Sequence, residues 1–289
     1  MIYKQIPPSE KLKDYIRYFF IMETEDIRDL TYTFRTVADG GPGLLFQPED
    51  KGTYYQSDKQ LPILFLYGQS TTHVETSLQG KFSTVGVVFY PHVLKAIFGL
   101  DANDLTDTCM DLDHQARKQG FHLVEMLSGS RSNTGKIEIL SSYLLYLLEK
   151  NSSQADSRME FALTQILQSK GNISMKELND QLCLSERSVE RRFKQYVGVS
   201  PKLFARICRF QASLIQIRNN EFSKLSDIAY ENEYADQSHL IRTFREFAGV
   251  SPNKYQKQAM SIVQNIADLS VSDPAVGMVL LYDLQQEDD

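Results

Sequence analysis

Residues 227–252 read DIAYENEYADQSHLIRTFREFAGVSP, and residues 177–201 read ELNDQLCLSERSVERRFKQYVGVSP. Both stretches end in Gly-Val-Ser-Pro, and both carry an Arg two positions before a Phe. Each has the punctuation of two short helices. In the first, Ser174 with Glu177 three residues on makes a capping box that opens a helix at ISMKELNDQL. A tight turn around Cys183 and Leu184 follows. Ser185 is then an N-cap for ERSVERRFKQYV, and Gly198 closes that helix. Ser200 and Pro201 open the next one as N-cap and first helical position.

The second copy keeps the order. Ser226 is read as the start of DIAYEN, the turn runs through Glu233, Tyr234 and Ala235, Asp236 caps QSHLIRTFREFA, and Gly249 ends it. The copies are offset by 50 residues before the turn (Leu178 with Ile228) and by 51 after it (Phe193 with Phe244), so the second turn holds one extra residue. A repeat that survives at this resolution is a structural duplication. Two short helices joined by a tight turn make a helix-turn-helix.

Apolar residues four apart fix the buried side of each second helix: Val189 with Phe193, and Leu240 with Phe244. Arg187, Arg191 and Lys194 then fall on the opposite face, with Glu190 at its margin. In the second copy Ser238, Arg242 and Arg245 lie opposite, with Gln237 and His239 at the exposed N-terminal end. A recognition helix presents its N-terminal half to base edges in the major groove, where an Arg fork pairs with guanine O6 and N7. One basic helix is ordinarily a solvated face. Two matched copies, each with cap, turn, core Phe and closing Gly, require another reason.

Between them PKLFARICRFQASLIQIRN (201–219) reads as one helix with an inner stripe of Phe204, Ile207, Cys208, Ala212 and Ile215. At 1.5 Å per residue it spans roughly 28 Å. That length suits two reading helices about 34 Å apart, one turn of DNA.

Charge agrees with this. Residues 158–257 hold 16 Lys+Arg against 11 Asp+Glu, whereas residues 1–157 hold 15 against 20 and residues 258–289 none against 6. The one basic third of an acidic chain is the third that contains the repeat, as expected where one domain meets a polyanion. Of the 289 residues 42% are apolar and 24% charged, as in globular proteins, and no apolar run approaches a membrane span. No secretion signal is read at the start, and Cys109, Cys183 and Cys208 stand far apart, which suits reduced thiols in a cytoplasm.

The first half reads differently. YTFRTV (32–37), GLLFQ (43–47), PILFLYG (62–68) and FSTVGVVFYP (82–91) have strand length and strand composition, suggesting a sandwich or barrel. Pro91 opens a short helix, a helix is expected over 115–127, and another over 135–150. Ile137, Leu140, Leu144, Leu147 and Leu148 make one apolar stripe on that last helix, which either packs on its own sheet or forms a dimer seam. NSSQADS (151–157) reads as a linker. No role is read for the acidic tail, 259–289.

At this point the residues resemble a family. SDIAYENEYADQSHLIRTFREFAGVSPNKY is similar to the second helix-turn-helix of AraC/XylS-type transcription regulators, and SERSVERRFKQYVGVSPKLF to the first. The resemblance covers roughly residues 158–258. It implies an all-α, seven-helix domain that binds double-stranded DNA and, as an activator, works near RNA polymerase. It also implies that Arg187, Glu190 and Arg191 contact bases from the first reading helix, and Gln237, Ser238, His239 and Arg242 from the second. Lys194 and Arg245 stand where phosphate contacts are expected. The turn position often filled by Gly in the family is Cys183 in one copy and Glu233 in the other. A positive φ there costs on the order of 1 kcal/mol each. Residues 1–150 look like a cupin-like domain or related β-sandwich that binds a small-molecule effector, forms a homodimer, or both. The expected chain is thus α+β with two domains.

Rival readings find less. His73-x-Glu75 is a fragment of a cupin metal site, without the second nearby His, and His92, His114, His122 and His239 are scattered. No nucleophile elbow, P-loop or dinucleotide fingerprint is present. No catalytic residue, cofactor or metal ligand is therefore assigned, and a metal-dependent cupin enzyme fused to a DNA-binding domain is a remote alternative. Tyr67, Phe34, Phe46, Phe65 and Phe89 are either sandwich core or the lining of an effector cavity. A first domain that only dimerises or contacts a protein would contain no such cavity.

Overall fold

A computed structural model describes residues 2–24, 31–48, 52–151, 156–257 and 280–283. In the first half the chain forms β1 (Ile2–Ile6), β2 (Ile16–Glu23), β3 (Thr31–Thr36), β4 (Gly43–Phe46), β5 (Thr53–Gln56), β6 (Lys59–Gln60), β7 (Leu64–Tyr67), β8 (Val74–Gln79), β9 (Ser83–Phe89) and β10 (Cys109–Asp111). A last strand, β11 (Leu280–Asp283), returns from the far end of the chain.

These make two antiparallel sheets, ordered β1-β2-β9-β4-β7-β10 and β11-β3-β8-β5-β6. The first sheet is covered on both faces, which is why β2 reads almost continuously apolar. Tyr18, Phe20 and Met22 point to the second sheet and pack with Tyr54 and Leu78. Phe19 and Ile21 point the other way and join Phe46, Leu66, Val87 and Phe89 in a core closed by helices. Phe20 stands opposite Gly86, and a Cβ at that glycine would run into the Phe20 ring. The bare backbone is what lets the aromatic lie across the neighbouring strand.

The helical cover is α1 (Val93–Ala96), a 3-10 turn (Ala102–Leu105), α2 (Leu112–Arg117), α3 (Leu123–Gly129) and α4 (Asn133–Asn151). The single helix expected over 115–127 is two helices. Gly120 at φ +85° breaks it, and the Asp113 carboxylate accepts the Val124 N–H at the start of α3. On α4 the buried residues are Ile137, Leu140, Tyr143, Leu144 and Leu147, all within the sheet's own core, with Leu148 at its edge. The stripe is therefore consumed inside the chain and leaves no apolar seam on that face for a second copy.

The second half is helical: α5 (Ser157–Gln168), α6 (Met175–Leu182), α7 (Glu186–Val197), α8 (Pro201–Arg218), α9 (Leu225–Glu231) and α10 (Gln237–Ala248), with a further helical segment at 252–257. One core gathers Met159, Leu163, Leu178, Val189, Phe193 and Phe204. A second gathers Phe210, Leu214, Ile228, Leu240, Phe244 and Phe247. The α8 helix contributes to both, so its inner stripe is Phe204, Ile207, Phe210, Leu214 and Ile217. Cys208, Ala212 and Ile215, expected inside, are only half-buried. A helix wrapped by two units buries a broader face than one apolar stripe indicates.

Residues 152–155 of the expected linker lie outside the described residues; Asn151 ends α4 and Asp156 caps α5. Of the expected tail, only β11 is described, and it pairs with β3 at the edge of the second sheet. The two halves also meet directly. Val37 and Ala38 are buried in the second helical core, where the Ala38 N–H donates to the Phe247 carbonyl (3.2 Å) and Gln211 donates to the Ala38 carbonyl (2.5 Å).

Candidate nucleic-acid interface

The duplicated phrase folds twice by the same local rules. Ser174 accepts from the Glu177 N–H (3.3 Å), Ser185 from the Ser188 N–H (3.4 Å), and Ser200 from the Leu203 N–H (3.2 Å). In the second copy Asp236 accepts from the His239 N–H at 2.7 Å. Each bond satisfies one N–H that a helix start leaves orphaned. Ser226, expected to open the second copy, does not cap it. Helix α9 begins at Leu225, with the Lys224 N–H held by the Asp227 carboxylate (2.9 Å), so Ser226 sits inside the first turn.

Both turns pass through a left-handed residue. Cys183 has φ 51° and Glu233 has φ 55°, the conformation that usually falls to glycine. The extra residue of the second turn is visible too: Cys183 directly caps α6, whereas Asn232 caps α9 and Glu233 follows. Tyr234 then turns inward, and burial pushes its phenol up to about 12.

Val189, Phe193, Leu240 and Phe244 are each at most 1% exposed, which fixes the rotation of both second helices. Arg187, Glu190, Arg191 and Lys194 are exposed on α7, and Gln237, Ser238, Arg242 and Arg245 on α10. His239 is half-buried. Its Nδ1 faces the Ala235 N–H (3.4 Å) and its ring meets Tyr234 edge-on, so it braces the turn as well as standing near the exposed end.

The charges divide into two sets. Glu190 pairs with Lys194 at 2.9 Å. Arg192 is tied to Asp156, Arg206 to Glu246 and Arg209 to Asn172. Among the described residues Arg187, Arg191, Arg242 and Arg245 form no ion pair, so four guanidinium forks face solvent from the two helices. The structural part of Arg192 was not read from sequence. Its signal is Asp156, an acidic residue directly before an apolar-periodic run, which both caps α5 and holds that arginine.

The metal fragment comes apart in the fold. Glu75 is bonded by Arg35 across β3 and β8, while the His73 ring lies against Gly249. Among the described residues no group of three His, Cys, Asp or Glu side chains is placed to hold a metal ion.

Residues 178–258 match the family model described as a helix-turn-helix domain. The C-terminal domain is a helix-turn-helix domain of the AraC type. Residues 4–111 match a second model, described as a domain of unknown function. An uncharacterized HTH-type transcriptional regulator of Haemophilus influenzae is 30% identical over 103 residues, 35% of this chain and 34% of its own length. The HTH-type transcriptional activator RhaS of Escherichia coli is 30% identical over 126 residues, 42% of this chain and 45% of its own. The chain thus matches less than half the length of these curated relatives. Among solved structures, ToxT from Vibrio cholerae aligns over 83% of this chain and 97% of its own, at 14% identity and a TM-score of 0.43. Among the described residues, no helix is long and apolar enough to cross a membrane.

Proposed function

We propose that the chain is a sequence-specific DNA-binding transcription regulator that reads two successive major grooves, with α7 in one and α10 in the other. The observation that carries this is the AraC-type duplication itself: two matched helices, each rotated by a buried Phe, each presenting to solvent two arginines that form no ion pair among the described residues. Arg187, Glu190 and Arg191, with Gln237, Ser238, His239 and Arg242, are the base-facing set; Lys194 and Arg245 neutralise phosphate. Such a chain works in the cytoplasm beside the chromosome. Activation through contact with RNA polymerase is the mode its likeness to an activator favours. Binding to a labelled duplex across a salt series tests the interface: log affinity falls linearly with log salt, and removing Arg245 lessens the slope by about one. A salt-independent affinity overturns it.

A small-molecule effector held between the two sheets is the second part of the proposal. What supports it is a cluster of phenols, with an arginine and a carboxylate beside it, near the face of the first sheet that turns to the second. Tyr18 is buried, Tyr3 and Tyr67 are half-buried, and all three act on one another electrostatically with Arg17 and Asp39 nearby. Burial pushes the phenols of Tyr18, Tyr54 and Tyr67 well above their ordinary range, and pushes the Asp39 carboxyl up despite Arg17. Phe46 and Phe89, by contrast, are plain core. A shift in melting temperature on adding a metabolite pool, lost in Tyr67→Phe, supports the effector. No shift with any fraction favours a first domain that contacts a protein instead.

A further inference from the structure

The first half of the chain touches the glycine that caps the C-terminal end of each of the two second helices. Gly198 ends α7 at φ +105°, and its carbonyl accepts the Thr106 hydroxyl at 2.7 Å. A Cβ on Gly198 would lie 3.0 Å from that hydroxyl oxygen, 3.2 Å from Gln69 Cγ and 3.3 Å from the Ala102 carbonyl, so the fit is to bare backbone. Gly249 ends α10 at φ +73°, and a Cβ there would come within 2.7 Å of the His73 ring. The glycines close their helices and also admit the other domain.

The two contacts belong to one object. Asp107 accepts the Thr71 N–H at 2.7 Å and the Thr71 hydroxyl at 2.6 Å, and its own N–H donates to the Gln69 carbonyl at 2.9 Å. Asp107 is itself left-handed at φ 57°, and behind it Cys109 pairs with Tyr67 in the sheet. From Gly198 the path runs Thr106, Asp107, Thr71, Thr72, His73 and reaches Gly249. Further contacts seat it: His92 stacks on Tyr196 in the last turn of α7 (6.1 Å), and the Ala38 N–H bonds Phe247 in the last turn of α10.

Within the helical domain α8 links the two units. The loop pair adds a second strut, on the side away from Arg187, Gln237 and Ser238. It therefore leaves the N-terminal halves of both reading helices open to a groove. We propose that the loops Gln69–His73 and Ala102–Asp107 form a bracket that fixes the spacing of the two reading helices, making Thr106 and Asp107 positioning residues for two-groove recognition. This rests on the two-groove reading above. Two modules on a stiff connection bind a two-part site tightly only at the spacing the connection allows, and a looser connection spreads that preference.

The test uses the full chain with Thr106→Val, which removes the bond to Gly198, and Asp107→Gly, which removes the carboxylate and tolerates the left-handed backbone. Affinity is measured for a duplex bearing one half-site, and for two-part duplexes with one or two base pairs inserted or deleted between the halves. Half-site affinity stays within about twofold, while the loss caused by one inserted base pair falls from about tenfold to about threefold. An unchanged spacing profile overturns the bracket. A second readout is independent of DNA. Spin labels at Glu186→Cys and Gln237→Cys, in a chain carrying Cys109→Ser, Cys183→Gly and Cys208→Ser, report the distance between the two helix starts. The distribution broadens in Thr106→Val and Asp107→Gly. An unbroadened distribution overturns the bracket even if the chain binds no two-part site, an outcome that would sink the two-groove reading by itself.

Discussion

Phe210 meets Phe244 edge-on, with ring centroids 5.0 Å apart and the planes at 71°. Phe210 belongs to the helix that joins the two units and Phe244 to the second reading helix, so this contact sets how α10 projects from α8. Both rings are fully buried. Phe244→Ala should lower stability by about 3–5 kcal/mol, because the cavity adds to the lost transfer energy. Chemical denaturation checks it, and an unchanged midpoint would mean that the ring is not where the second core is built.

Arg242 and Arg191 occupy equivalent positions, two residues before the buried Phe of each helix, and both are exposed without an ion pair among the described residues. Arg242→Ala should cost about 1–3 kcal/mol of binding and relax preference at one base position, with Arg191→Ala doing the same in the other half-site. Comparing selected sequences for each variant decides it. Retained preference at every position removes these residues from base reading.

Cys183 and Glu233 hold the left-handed turn position with a side chain that disfavours it. Replacing either by Gly relieves backbone strain on the order of 1 kcal/mol, partly offset by the freer unfolded chain. Both residues are exposed, Cys183 loses only a long Sγ contact to the Asp180 carbonyl (3.6 Å), and the Arg209 contact to Glu233 is to a backbone carbonyl that survives, so the two variants should gain by similar amounts. Melting curves that fall for both variants would contradict the strain argument.

His92 lies between the domains, stacked on Tyr90 and Tyr196, and burial pulls its pKa down to about 4 against a small opposing pull from Asp14. The unfolded chain takes up the proton first on acidification, so the His92 contribution is complete above about pH 6.5 and is lost as pH falls toward 4. The loss amounts to roughly 3 kcal/mol. His92→Phe should flatten stability across that window. An equally steep acid limb in the variant would assign the loss to other groups.

What was legible in the sequence is what local rules write. The caps at Ser185, Ser200 and Asp236, the closing glycines, and the left-handed turns at Cys183 and Glu233 each depend on a few neighbours, and each stands where the pattern put it. Strands β1, β2, β5, β6, β8 and β10 carry no reading from the sequence; half-exposed runs such as IYKQI and VETSLQ lack a clean alternation and are strands through the partners they pair with. The inner face of α8 was misread because two cores claim it. Thr106 and Asp107 carry no signal in the sequence, and the His73-x-Glu75 spacing points to a metal fragment rather than to a contact: their places become visible only where loops from one domain meet glycines of the other.

Two-groove reading by one chain is the core of the proposed function. Selection of bound sequences from a random duplex library by the full chain tests it most directly. The expected result is a two-part site whose halves lie about one helical turn apart, with Arg191→Ala degrading one half and Arg242→Ala the other. A single short site, degraded by only one of the two substitutions, would contradict it.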